Sequence, residues 1–192
     1  MKKEENGARP SSGRAFLSRT DESRLSGLKA HIIFWSIAVL GIAVDLWTKS
    51  AVFSWLEQGP DHRFSIIDGF LQLVLTENAG AAFGIAAGRR DLLVVVSVIA
   101  LIVIFAVFLF GGSRRTLVHV ALGLFAAGVC GNLYDRIFNN GLVRDFIDVY
   151  YREHHWPAFN VADGMLCVGV GLMIISSLFT GRFSQKRARR RK

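Results

Sequence analysis

The chain has 192 residues, of which 52% are apolar, with a net charge of +8 and a mean hydropathy of +0.37. Its length is that of one domain, and its apolar residues crowd into four long blocks with charged punctuation between them, which excludes an ordinary soluble globular domain. The two cysteines, Cys130 and Cys167, lie inside apolar blocks without CxxC spacing, which excludes a disulfide scaffold.

Residues 1–30 carry seven Lys/Arg and four acids and read as a disordered basic tail. A bilayer crossing takes about 20 mostly apolar residues. The first such block is about His31–Phe53, apolar from Ile32 to Val44 except for Ser36, and then bearing Asp45, Thr48 and Lys49. A long polar segment precedes it and no small-x-small site closes a short apolar core, so it is not a cleaved signal peptide. The loop at 54–91 follows. Within it, Arg63–Ile67, Asp68-Gly69 and Phe70–Thr76 predict two short strands around a turn. Leu71, Leu73 and Leu75 give the second strand a greasy face suited to a membrane surface. The second span is Leu92–Phe110, with Ser97 its only polar residue, and a turn at Gly111–Arg115 leads to the third, about Thr116–Arg136. A loop at 137–162 leads to the fourth span, about Asp163–Thr180, and residues 182–192 form a second basic tail.

The predicted fold is an all-α membrane protein. It has a four-helix transmembrane domain at 31–181 and a small extracytoplasmic β-sheet in the first outer loop. The two tails and the 111–115 turn hold 16 Lys/Arg, and the two long loops hold 5. The positive-inside rule then places both termini in the cytoplasm. Basic tails can bind nucleic acid, but no basic stripe interleaved with aromatics lies between them. They read instead as juxtamembrane anchors facing anionic lipid, with no nucleic-acid partner.

Ionisable residues within spans are costly and usually functional. Here the charged ones, with two asparagines, fall at one depth, and the middle and inner half hold only His119, Ser and Thr as polar side chains. Asp45 and Lys49 occupy the outer half of the first span; Asn132, Asp135 and Arg136 the outer end of the third; Asn160 and Asp163 the outer start of the fourth. A transporter would place such groups near the midplane. Asp45 and Lys49 share a helix face, as do Gly128, Asn132 and Arg136, and as do Asn160, Asp163, Gly164 and Cys167. The stripe Gly123, Ala127, Gly131 allows close helix packing.

Plainer roles exist for several of these residues. Asn160 and Asp163 fit a helix cap. Asp45 with Lys49 fits a helix-stabilising ion pair, and Asp135 with Arg136 an interface anchor. Asp148, Glu153, His154 and His155 read as solvated, and the two cysteines as buried small apolar residues. A metal-dependent enzyme ligated by Asp135, Asp145 and Asp148 is the other enzymatic reading, although such sites usually need acids on one rigid face.

Five motifs occur in order: Asp45-Leu-Trp-Thr-Lys49, Asn78-Ala-Gly80-Ala-Ala-Phe83-Gly84, Gly131-Asn132-Leu-Tyr-Asp135-Arg136, Val143-Arg-Asp145-Phe146 and Phe159-Asn160-Val-Ala162-Asp163. With them the chain, from about Ile32 to Phe179, resembles the bacterial lipoprotein signal peptidases, also called signal peptidase II. The resemblance implies an aspartic endopeptidase of the bacterial inner membrane. It would remove the signal peptide of a diacylglyceryl-modified prolipoprotein on the N-terminal side of the lipidated cysteine. It assigns catalysis to Asp145 and Asp163, and site lining to Asp45, Lys49, Asn78, Asn132, Arg136 and Asn160. Arg144 departs from the family pattern, in which an apolar residue is expected.

The chemistry is self-consistent. Two nearby carboxylates cannot both ionise cheaply, so one keeps a proton. The ionised one takes a proton from water as that water attacks the peptide carbonyl. The protonated one polarises the carbonyl and later protonates the leaving amine. No metal or other cofactor is required. The partners expected are prolipoprotein substrates and membrane lipid, with the enzyme itself a monomer.

Overall fold

The computed structural model describes residues 19–81, 84–113 and 115–189, with side chains described between 27 and 179. The elements are α1 (Arg19–Glu57), β1 (Arg63–Ile67), β2 (Leu71–Asn78), α2 (Arg90–Phe110), α3 (Thr116–Phe138), β3 (Val143–Tyr151), β4 (His154–His155) and α4 (Val161–Arg189). Four stretches are long and apolar enough to cross a membrane: Gly27–Glu57, Arg90–Phe110, Thr116–Phe138 and Val161–Phe179. Each overlaps its predicted span with ends displaced by a few residues.

The first and last helices extend past the predicted domain: residues 19–30, read as disordered, continue α1, and residues 182–189 of the second basic tail continue α4. A helix already nucleated by an apolar block gains one hydrogen bond per added residue, and the Arg, Glu, Leu and Lys next to it are good helix formers. The parts of the predicted tails at 1–18 and 190–192, together with Phe83 and Arg114, lie outside the described residues.

α3 packs against the other three helices. Its small residues permit close approach on two sides. A Cβ on Gly123 would stand 3.0 Å from the Phe34 carbonyl oxygen of α1, and one on Gly128 would stand 2.6 Å from the Ala162 carbonyl oxygen of α4. Toward the other end of the bundle, Phe34, Ala38, Ile104, Phe108, Leu122 and Ala126 form an apolar core. Phe34 stacks on Phe108 with ring centroids 4.0 Å apart. On the far side of α2, Val95, Val96, Ile99, Ile102 and Val103 are exposed, an arrangement that lipid tolerates and water does not.

The sheet is antiparallel in the order β1-β2-β3-β4. β1 and β2 match the predicted hairpin, turned by Gly69 at φ +76°. β3 and β4 come from the segment after α3, so the sheet draws on both connecting loops rather than on the first alone. In Val143–Tyr151 the charges at Arg144, Asp145 and Asp148 interrupt a clean alternation, although Val, Ile, Phe and Tyr favour a strand. α1 and α3 run toward the sheet and α4 starts beside it, so the polar ends of three helices gather at one level.

Candidate active site

Asp45 and Lys49 lie one turn apart on α1 and are both fully buried. Lys49 Nζ is 2.8 Å from Asp45 Oδ2 and 3.3 Å from Asp135 Oδ2, and it donates to Asn132 Oδ1 at 2.9 Å. Asp45 Oδ1 accepts the Ala162 N–H at 2.9 Å, one of the donors that the first turn of α4 leaves without an intrahelical partner. The Asp45 carboxylate fills the space where a Cβ of Gly131 would sit. A glycine on α3 is thus what lets the ion pair of α1 reach α4.

Asn160 and Asp163 form a reciprocal cap at the start of α4. The Asp163 N–H donates to Asn160 Oδ1 and the Asn160 N–H donates to Asp163 Oδ2, both at 3.1 Å. The cap does not use up these side chains. Asn160 Nδ2 also donates to Asp145 Oδ1 at 2.6 Å and to Asn132 Oδ1 at 3.0 Å. Asn132 Nδ2 donates to Asp163 Oδ1 at 2.9 Å. The second oxygen of Asp145 accepts from Asn78 Nδ2 at 3.1 Å, while Asn78 Oδ1 holds the Gly80 N–H at 2.8 Å. Two carboxylates on β3 and α4 are therefore tied together by the amides of Asn132 and Asn160.

Asp145 is 2% exposed, and its carboxyl is pushed up to about 6. Burial is the main cause and the negative charge of Asp163 the next, while the amides of Asn78 and Asn160 and the charge of Lys49 act against them. Arg136 donates from Nη2 to the Gly80 carbonyl at 3.0 Å and from Nη1 to the Asn132 carbonyl at 3.3 Å.

A cavity of about 770 Å³ opens at this level. Asn78, Asn132, Arg136, Asp145 and Asp163 supply polar groups to its wall; Val143, Trp156, Phe159 and Leu166 supply apolar ones. All eight site residues anticipated from the sequence come together here. Asp45, Lys49 and Asn160 stand behind the wall as supports.

Three residues have roles that the sequence reading does not assign. Asp135 accepts from Arg144 and faces Lys49, so it links α3 to β3 and α1 instead of anchoring an interface. Arg144 turns toward Asp135, whereas its neighbour Asp145 turns toward the cavity. Arg90 donates to the carbonyls of Arg136 and Ile137 at 2.9 and 3.0 Å, a cation capping the C-terminus of α3. Asp135 was signalled by its depth in the third span and by its place beside Arg136 in the motif, and Arg90 had no signal.

Two plainer readings are corrected. Asp148 is 5% exposed rather than solvated, held by Gln72 Nε2 at 2.6 Å and His155 Nδ1 at 2.8 Å. Cys167 is exposed on the cavity wall rather than buried. Asp135, Asp145 and Asp148 do not converge, and among the described residues no three His, Cys, Asp or Glu side chains are grouped to share a metal ion.

Residues 37–179 match the family described as signal peptidase (SPase) II. The lipoprotein signal peptidases of Sulfurihydrogenibium sp. and Aquifex aeolicus are 42% and 37% identical to this chain over 157 residues. Each alignment covers 79% of this chain, and 94% and 89% of those proteins respectively. A bacterial membrane enzyme solved by the in meso method at 2.3 Å resolution superposes with a TM-score of 0.66 at 33% identity, over 74% of this chain and 85% of that one.

Proposed function

The chain belongs to the signal peptidase II family, and from that premise we propose that it is a membrane-embedded aspartic endopeptidase acting on diacylglyceryl-modified prolipoproteins. The family supports a peptidase that removes signal peptides from prolipoproteins, and the four apolar helices fit a multi-pass protein of the inner membrane. The catalytic pair is Asp145 and Asp163, and the scissile bond lies on the N-terminal side of the lipidated cysteine. The observation that carries this reading is the joining of those two carboxylates through Asn132 and Asn160 on the wall of one cavity.

Asp145, whose carboxyl is raised by burial, is assigned the shared proton in this reading. Asp163 takes a proton from water as the water oxygen bonds to the peptide carbonyl carbon. Asp145 hydrogen-bonds the carbonyl oxygen with its proton, and as the tetrahedral intermediate collapses it passes that proton to the leaving amine, which leaves the proton taken from water on Asp163. Arg136 and Asn78 border the cavity and orient the substrate backbone. The apolar wall suits a lipid-modified substrate whose peptide bond lies at the membrane surface.

The deciding experiment incubates the purified protein with a diacylglyceryl prolipoprotein and weighs the products. Cleavage before the lipidated cysteine is expected, unaffected by EDTA and absent in Asp145→Asn and Asp163→Asn. Near-normal turnover in either variant removes that residue from the mechanism, and loss of activity in EDTA moves the enzyme to the metal class.

A further inference from the structure

Arg144 brings a charge to a position beside the catalytic pair where the motif leads one to expect an apolar residue. On the strand it points opposite to Asp145. Its Nε and Nη2 donate to Asp135 Oδ1 at 3.2 and 2.7 Å, and its backbone N–H donates to Asp135 Oδ2 at 3.0 Å. Asp135 has no exposure, and its Oδ2 also faces Lys49 Nζ at 3.3 Å. Lys49 in turn pairs with Asp45. Charges therefore alternate along a buried chain of side chains, Asp45, Lys49, Asp135, Arg144, that runs from α1 through α3 to β3. Two buried carboxylates here have two cations. With Arg144 removed they would have one, and a buried charge that loses its partner is strongly unfavourable.

We propose that Arg144 is a positioning residue for the cleavage reaction: by binding Asp135 it pins β3 to the end of α3 and shares with Lys49 the neutralisation of Asp135, so that the Lys49 ammonium also acts on the Asn132 amide and on Asp145 of the catalytic pair. This rests on the reading of Asp145 and Asp163 as that pair. The charged groups around Asp145 are Asp163 from α4, Lys49 from α1 and Arg136 from α3. Lys49 eases proton loss from Asp145 and Asp163 opposes it. Without Arg144, Lys49 is the one cation left against both Asp45 and Asp135, its field at Asp145 is offset, and the shared proton is held to higher pH.

The test is kcat/KM against pH on a diacylglyceryl prolipoprotein, in one detergent, for wild type, Arg144→Val, Arg144→Gln, Arg144→Lys and the double variant Arg144→Val with Asp135→Asn. The alkaline limb should move up by about half to one pH unit in Arg144→Val and Arg144→Gln. It should stay in place in Arg144→Lys and return toward wild type in the double variant. A merely structural role lowers the whole profile without moving the limb, and that result overturns the proposal. Should Arg144→Val fail to fold, Arg144→Gln, which still donates to Asp135, carries the same requirement. Asp145→Asn separates the two levels. If it keeps its turnover, the catalytic reading fails; if it is inactive and the limb of Arg144→Gln does not move, only the role of Arg144 fails.

Discussion

Asp145 has a buried environment that sets the direction of two pH effects. An acid whose folded-state pKa lies above its ordinary value of 3.8 costs stability when ionised. That cost is fully present above about 6 and is gone below 3.8. The stability of wild type relative to Asp145→Asn should therefore rise as pH falls across that window, as read by thermal unfolding of both proteins in the same detergent. A difference that is flat with pH would mean Asp145 titrates normally. For activity, the alkaline limb of kcat/KM should fall at about 6 in the free enzyme, because a fully ionised pair has no proton to give. Lys49 shows how far spacing alone could be read. The four-residue interval from Asp45 made the ion pair legible, but Asp135 and Asn132 are distant in sequence, and no local pattern announces that they share the same ammonium. Lys49→Ala should thus cost about 3–5 kcal/mol, the range for breaking a buried pair. Adding Asp45→Asn should restore part of it, since Asp135 keeps Arg144. If the double variant unfolds at a lower temperature than Lys49→Ala, the two residues do not work as a pair.

At the scale of elements, the start of α4 does two jobs with one pair of side chains. The cap reading and the site reading of Asn160 and Asp163 were alternatives in the sequence; in the structure the same two side chains cap the helix and join the hydrogen-bond network around Asp145, because a capping asparagine has an amide to spare. Asn160→Ala should lose about 1 kcal/mol for the cap. Its loss of kcat should be far larger than that stability defect, since Asp145 and Asp163 both lose a link. A variant that is destabilised but turns over normally would reduce Asn160 to a cap. The helices were legible because runs of apolar residues have few alternatives. β3 was not. A strand with Asp145 facing a cavity on one side and Arg144 facing a buried carboxylate on the other carries charge on both faces, so the alternation that identifies a half-buried strand is lost. β3 is written for the site rather than for the sheet.

For the whole molecule, the sequence showed the Asp, Lys and Arg side chains within the spans at one depth, and the structure gathers them at the sheet end of the bundle. With both termini cytoplasmic, as the charge bias of the loops predicts, that end faces outward. A reporter fused after Lys192 should be active only in the cytoplasm, and activity only on the outer side would reverse the orientation of the site. What the sequence did not disclose is which of these residues touch. Asp45 and Lys49 come from α1, Asn78 from β2, Asn132 and Arg136 from α3, Asp145 from β3, and Asn160 and Asp163 from the start of α4. The bond from Asp45 Oδ1 to the Ala162 N–H joins the first span to the beginning of the last. On the proposed reading, proteolysis therefore waits for α4. A nascent chain halted ahead of Asn160 has three of the four described spans and lacks Asp163, and docking of α4 onto Asp45 is the step that completes the proposed catalytic pair.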